Sequence, residues 1–274
     1  MSIFFIDLKD ILNYRIIRRF SSLTKTKSIE IVPVRTNLII DFDSKKQHLN
    51  PEIRKEIDNC FKSKINCFDG ALIHVKKIEI GKKIRFSTQI GSYKDFIGTQ
   101  HRRPNSIKKI RGVQNYCMPL SVGAIVITKN NKIIVAKRKK TNLNANYWSF
   151  PAEGYLDPNK HLINNEISVF NGISSELKEE LGIRINELKT FHILGIVYDK
   201  EITKQPYIAT IWKTNLKTFD IKNLFKKTEK EEFEEIDFID NNRKAFNDFI
   251  NKHELTLHNL GKAMLYKQYM RWNY

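Results

Sequence analysis

Ser174-Ser175-Glu176-Leu177-Lys178-Glu179-Glu180-Leu181-Gly182-Ile183 is the most telling stretch of this chain. On a helix, Glu176, Glu179 and Glu180 stand at i, i+3 and i+4 and share a narrow arc of one face. Phe170, Ile173, Leu177 and Leu181 form the opposite, apolar stripe. Gly182 suits the position just past a helix end, so the spacing predicts a helix over Glu166–Leu181. Like charges so placed cost an isolated helix a few tenths of a kcal/mol per pair. A hard divalent cation would reverse that cost, and carboxylates are the oxygen ligands that Mg²⁺ takes alongside substrate phosphates. An ordinary solvated acidic face is the other reading of the same residues.

Upstream of this helix, Pro119–Thr128 and Ile133–Lys137 read as strands joined by the Asn-rich turn Lys129-Asn130-Asn131-Lys132. Trp148-Ser149-Phe150-Pro151-Ala152-Glu153-Gly154 follows as a loop, and then a polar insertion. Downstream, strands are expected at Thr190–Tyr198, Ile208–Asn215 and Ile236–Ile239, with a helix near Asn259–Trp272. Before Cys117, residues 28–40 alternate as a strand, and Asn50-Pro51-Glu52 opens a helix that runs to about Lys64. Ala71–Ile80 and Lys83–Ile90 read as a hairpin. Residues 1–27 read as a peripheral helix and linker, and 101–116 as a basic loop. The expected class is α+β: a mixed sheet with helices on its faces over 117–274, preceded by a smaller α+β region over 1–116.

Hydrophobic residues make up 41% of the 274 residues, which excludes extended disorder. No apolar run approaches the roughly 18 residues of a membrane helix. Cys60, Cys67 and Cys117 are an odd, sparse set with no disulfide or metal spacing. Asp7 and Asp10 interrupt the apolar start, so it does not read as a signal peptide, and the expectation is a soluble cytoplasmic protein. Lys plus Arg outnumber Asp plus Glu by 48 to 30, a formal charge of +18. The excess is mostly Lys and forms no long block, so a small polyanion such as a nucleotide is favoured over nucleic acid as the partner.

Taken with the hairpin ending in Lys137-Arg138 and the Trp148–Gly154 loop, the helix resembles the Nudix hydrolase superfamily. The signature of that family is Gly-x5-Glu-x7-Arg-Glu-U-x-Glu-Glu-x-Gly-U, with U apolar. Glu176, Leu177, Glu179, Glu180, Gly182 and Ile183 match its second half. Its first half is altered. About seven extra residues separate Gly154 from the helix, Ser175 stands where the family has Arg, and the upstream Glu position falls on Ile167. Further segments look like the UDP-glucose diphosphatase branch: Phe68-Asp69-Gly70, Tyr93–Thr99, Pro119–Ala124, Leu194-Gly195-Ile196 and Gly261-Lys262-Ala263.

The resemblance implies an α/β/α sandwich and hydrolysis of a UDP-sugar to UMP and a sugar 1-phosphate. By the same resemblance, Glu176, Glu179 and Glu180 hold Mg²⁺, or Mn²⁺ in its place, with the Gly154 carbonyl as a further ligand. Glu176 or Glu180 would be the base. Arg138 would meet phosphate, as a guanidinium suits bidentate contact. Trp148 and Tyr155 would line a sugar or base pocket, or else pack. Asp95 and Thr99 would contact substrate, or else cap a turn. The acid run Glu229–Glu235 would supply a late base, or else a solvated loop. Other chemistries implied by the family are hydrolysis of ADP-ribose, dinucleotides or capped RNA. A non-catalytic nucleotide-binding protein on the same scaffold is a further alternative.

Overall fold

The computed structural model describes residues 29–33, 38–62, 69–80, 83–101, 116–139, 145–199, 205–229 and 232–253. The expected helices within 1–27 and 259–272 lie outside these residues, as does most of the basic loop at 101–116. The strands are β1 (Ile29–Pro33), β2 (Leu38–Lys46), β3 (Ala71–Ile80), β4 (Ile84–Ser92), β5 (Ser121–Ile127), β6 (Lys132–Arg138), β7 (Trp148–Ser149), β8 (Glu153–Tyr155), β9 (Leu162–Ile163), β10 (Glu166–Ile167), β11 (Leu188–Asp199), β12 (Pro206–Thr214) and β13 (Phe233–Asp240). The main sheet runs β1-β11-β12-β5-β6-β13, with β8 paired to β5 and β7 paired to β6. The β12–β5 pair is parallel, while β11–β12 and β13–β6 are antiparallel. A three-stranded sheet, β2-β4-β3, stands beside it.

The uninterrupted apolar run of β5 is explained by burial on both sides. Val122, Ala124 and Val126 enter one core cluster with Ile173, Leu177 and Leu181 of the Val169–Leu181 helix. Ile125 and Ile127 enter the other, under Phe246, Phe249 and Ile250 of the Arg243–His253 helix. Period-two alternation on β6 and β12 divides their side chains in the same way. The result is the mixed sheet with helices on its faces that the sequence predicts, in the α/β/α arrangement that the resemblance implies. One cluster also takes Ile73, Val75, Ile84 and Phe86 from the small sheet together with Met118 and Leu120. Backbone bonds Ile73 N–H to Leu156 O, Leu120 N–H to Ile73 O and Val75 N–H to Met118 O, each 2.8 Å, tie β3 to the segments entering β5 and leaving β8.

Three boundaries differ from expectation for local reasons. The alternating stretch at 28–40 divides into β1 and β2, which join different sheets, β1 beside β11 and β2 beside β4. The main helix begins at Val169, not Glu166, because Ser168 caps it by accepting the Asn171 N–H. Glu166-Ile167 instead pairs with Leu162-Ile163. Asn164 and Asn165 form the turn with φ of 49° and 62°, the left-handed pair that a tight two-residue hairpin needs. The polar insertion is therefore a folded hairpin after a helical turn at Pro158–His161. Helices at Pro51–Lys62, Thr218–Phe225 and Arg243–His253, with short helical turns at Tyr93–Phe96, Ile97–His101 and Ile185–Glu187, complete the described structure.

Candidate active site

Between β5 and β6 only Ile127 and Ile133 are paired, and β7 and β8 insert into the opening. The Phe150–Tyr155 turn therefore lies against the acidic face of the Val169–Leu181 helix. The helix is held by its caps and stripe. Gly182, at φ 73°, closes the end with its N–H on Lys178 O, and Ile183 N–H reaches back to Leu177 O. Ile173, Leu177 and Leu181 are fully buried, and Phe170 packs on Trp212 and Phe191.

With the apolar stripe facing the sheet, Glu176 and Glu180 turn toward the loop. A Cβ placed on Gly154 would lie 1.9 Å from Glu176 Oε1, far inside contact distance, so only glycine leaves room for this carboxylate. Ala152 sits in the left-handed region at φ 70° and directs its N–H to Glu180 Oε2. The other oxygen, Glu180 Oε1, is buried and has no hydrogen-bond partner among the described residues. Glu179 is exposed at the outer edge of the same face.

Burial pushes the Glu176 carboxyl up to about 8, reinforced by the charges of Glu179 and Glu232. Burial likewise raises Glu180, with Glu176 and Glu232 adding to it and the Ala152 N–H and Arg138 opposing it. Arg138 leaves the end of β6 beside these groups. Its Nη1 donates to Glu232 Oε2 at 2.9 Å, and its Nη2 lies 3.6 Å from Glu153 Oε2. Glu153 is buried and accepts a 3.2 Å bond from the Tyr207 hydroxyl. Gly123 makes room for that hydroxyl, since a Cβ there would lie 1.5 Å from it.

The insertion is pinned to the helix by His161. Its Nδ1 accepts the Asp157 N–H at 3.0 Å, which leaves the proton on Nε2, 3.1 Å from Ser175 Oγ. Ser175 Oγ in turn donates to Gly172 O at 2.9 Å. A neutral, buried hydrogen-bond chain thus ends on the residue next to Glu176.

The structure brings Glu176, Glu180, Gly154 and Arg138 together and leaves Glu179 at the rim. Asp95, Thr99 and Trp148 are placed elsewhere, in the turn-holding and packing arrangements that were the alternative reading of each. Asp95 is buried and paired bidentately with Arg54, with Arg54 Nη2 at 3.1 Å from Oδ2. Thr99 is fully buried, donates to Asp95 O and accepts the Cys117 N–H. Both hold the turn after β4 against the start of the main sheet. Trp148 packs against Phe249 and His253 on the sheet face away from the acidic helix. Tyr155, next to Gly154 in β8, points to the opposite side from Glu176 and packs against Tyr93 and Phe96.

Glu153, Tyr207, His161 and the strained Ala152 were not singled out from the sequence. A Glu directly before the loop glycine was the one visible signal for Glu153. Glu232 belongs to the acid run at 229–235, whose two readings sequence alone left open. Among the described residues, no group of three or more Asp, Glu, His or Cys side chains is already drawn into a metal cluster. A divalent cation nevertheless suits the donors present. One buried carboxylate oxygen lacks a partner, a second carboxylate is crowded over Gly154, and both repel each other.

No protein-family model and no curated protein matches the chain. Solved structures similar to it include a MutT protein from Methanosarcina mazei, at 18% identity and TM-score 0.37 over 57% of this chain and 95% of that one. A mutT/nudix family protein from Listeria innocua has 18% identity and TM-score 0.40 over 57% of this chain and 94% of that one. An Ap4A hydrolase from C. elegans has 13% identity and TM-score 0.34 over 57% of this chain and 99% of that one.

Proposed function

We propose that this chain is a divalent-cation-dependent hydrolase of diphosphate linkages, acting on a nucleoside diphosphate sugar of the UDP-glucose kind. The observation that carries the reading is the pair of half-buried carboxylates, Glu176 and Glu180, set against a loop that only Gly154 can complete, with the buried Glu180 Oε1 unpartnered among the described residues and Arg138 alongside. Glu176, Glu180 and the exposed Glu179, with the Gly154 carbonyl, would hold Mg²⁺ or Mn²⁺. When bound, the cation supplies neutralisation of phosphate charge and acidification of the attacking water.

The chain's own groups do the rest. Burial pushes the Glu176 carboxyl up to about 8 in the cation-free chain; a bound cation would favour its ionised form, and that carboxylate would take a proton from the attacking water. Water forms a new P–O bond while the P–O anhydride bond breaks. The proton passes to the carboxylate and then to solvent, and the products are a nucleoside monophosphate and a sugar 1-phosphate. Arg138 presents its guanidinium to the phosphates. The sugar-nucleotide choice rests on the segments resembling the UDP-glucose diphosphatase branch, in one of which Asp95 and Thr99 hold the fold through Arg54 and Cys117.

The test is incubation of the full chain with UDP-glucose and Mg²⁺ or Mn²⁺, with the phosphorus products resolved by NMR. UMP and glucose 1-phosphate are expected. Cleavage of ADP-ribose, a dinucleoside polyphosphate or capped RNA with UDP-glucose left intact moves the substrate to that class. No turnover of any of them with either cation overturns the hydrolase reading.

A further inference from the structure

We infer that Arg138 exchanges partners during binding: a phosphate group of the substrate replaces the Glu232 carboxylate on its guanidinium, while Glu153 stays. The inference deepens the proposed function, because it takes that site as one for diphosphates.

The two acids on Arg138 differ in kind. The Glu153 side chain is 7% exposed, sits in β8 beside β5, and is tied down by the Tyr207 hydroxyl. The Glu232 side chain is 42% exposed and makes its 2.9 Å contact from the far side of β6. An exposed ion pair adds little stability, whereas separating a buried one leaves an uncompensated charge in the interior. Glu232 is therefore the partner that yields. Its backbone stays in place through Lys139 N–H to Glu232 O at 2.9 Å, so the exchange needs only a side-chain rotation.

The guanidinium is ready for a new ligand. Its carbon lies 5.2 Å over the Phe233 ring, which fixes its plane, and only 13% of the Arg138 side chain is exposed. Its Nε is buried without a partner among the described residues. A phosphate has more oxygens and more charge than a carboxylate and fills the fork better. Glu232 also repels Glu176 and Glu180, so its withdrawal removes one negative charge from beside the diphosphate. Glu232 then acts as a stand-in anion that keeps a buried arginine paired while the site is empty, and it competes with weakly bound anions.

The experiment titrates the full chain calorimetrically with imidodiphosphate, a pyrophosphate analogue with a non-hydrolysable bridge, in the presence of Mg²⁺. Glu232→Gln is expected to bind it about 3- to 5-fold more tightly than the unsubstituted chain, the scale of one displaced, partly exposed charge pair. In an Arg138→Lys background, which keeps a positive charge for Glu153, the same substitution is expected to change affinity less than about twofold. As a second readout, the ¹⁵N resonance of Arg138 Nε should shift on addition of imidodiphosphate to the unsubstituted chain. Unchanged or weaker binding by Glu232→Gln overturns the exchange, as does an equal gain in both backgrounds or an unmoved Nε resonance. An Arg138-dependent gain with no hydrolysis of any diphosphate keeps the exchange and overturns the enzyme reading. Hydrolysis without the gain does the reverse.

Discussion

Gly154 and Glu176 share one pocket of space: the position a Cβ would take on residue 154 lies 1.9 Å from Glu176 Oε1 and 2.3 Å from its Cδ. The obstructing atoms are the far end of a flexible side chain, not backbone. Gly154→Ala is therefore expected to swing the carboxylate away without unfolding the chain. The melting temperature should stay within a few degrees, while Mn²⁺ affinity and hydrolysis each fall at least about 10²-fold. Calorimetry with Mn²⁺ and a thermal scan check the two halves separately.

The crowding of Glu176 and Glu180 has a pH signature in the cation-free protein. Burial raises the Glu176 carboxyl to about 8 from an ordinary 4.5, so between these values the folded chain binds more protons than the unfolded one. That contribution to stability is fully present below about 4.5 and is lost as pH rises toward 8. Thermal scans without divalent cations should show a falling midpoint from about pH 6.5 to 8, above the range in which His74 titrates, and added Mg²⁺ should restore it. Glu176→Gln combined with Glu180→Gln should flatten the fall and lower hydrolysis on the order of 10³-fold.

His74 works in the opposite sense. It is 2% exposed and its Nδ1 accepts the Met118 N–H at 2.8 Å, so burial lowers it to about 4 from 6.5. The unfolded chain then binds more protons between these values, and stability is lost as pH falls from 6.5 toward 4. The loss amounts to about 3 kcal/mol. His74→Asn, which keeps an acceptor for Met118, should remove that acid slope in urea titrations run from pH 7 to 4.

Ala152 holds φ 70° so that its N–H meets Glu180. A Cβ in this region is strained, and glycine is not. Ala152→Gly is expected to raise stability by about 0.5–1 kcal/mol, the relief of strain exceeding the added freedom of the unfolded chain. The denaturation midpoint reports it.

His161 links the insertion to the helix through bonds to Asp157 N–H and Ser175 Oγ. Truncating it leaves the Asp157 N–H without its acceptor inside the protein. His161→Ala should cost about 1–3 kcal/mol, read from urea unfolding.

Patterns that repeat along the chain were legible before any fold was known. The three glutamates at helical spacing, the stripe of Ile173, Leu177 and Leu181, and Gly182 as terminator are local geometry, and all appear as read. The apolar runs of β5, β6 and β12 encode a sheet covered on both faces, since strand period sends successive side chains to opposite faces and both faces are apolar.

What the chain could not disclose by itself is which separated segments meet. Asp95 and Thr99 read equally well as substrate contacts or turn caps until Arg54 and Cys117 were seen to occupy them. Glu232, 52 positions beyond Glu180, shares Arg138 with Glu153 only because β13 pairs with β6. Local periodicity depends on neighbours in sequence and is written there. The pairing of a charge, the burial that raises a carboxyl and the room left by a missing Cβ depend on neighbours in space, and only the packed tertiary structure supplies those.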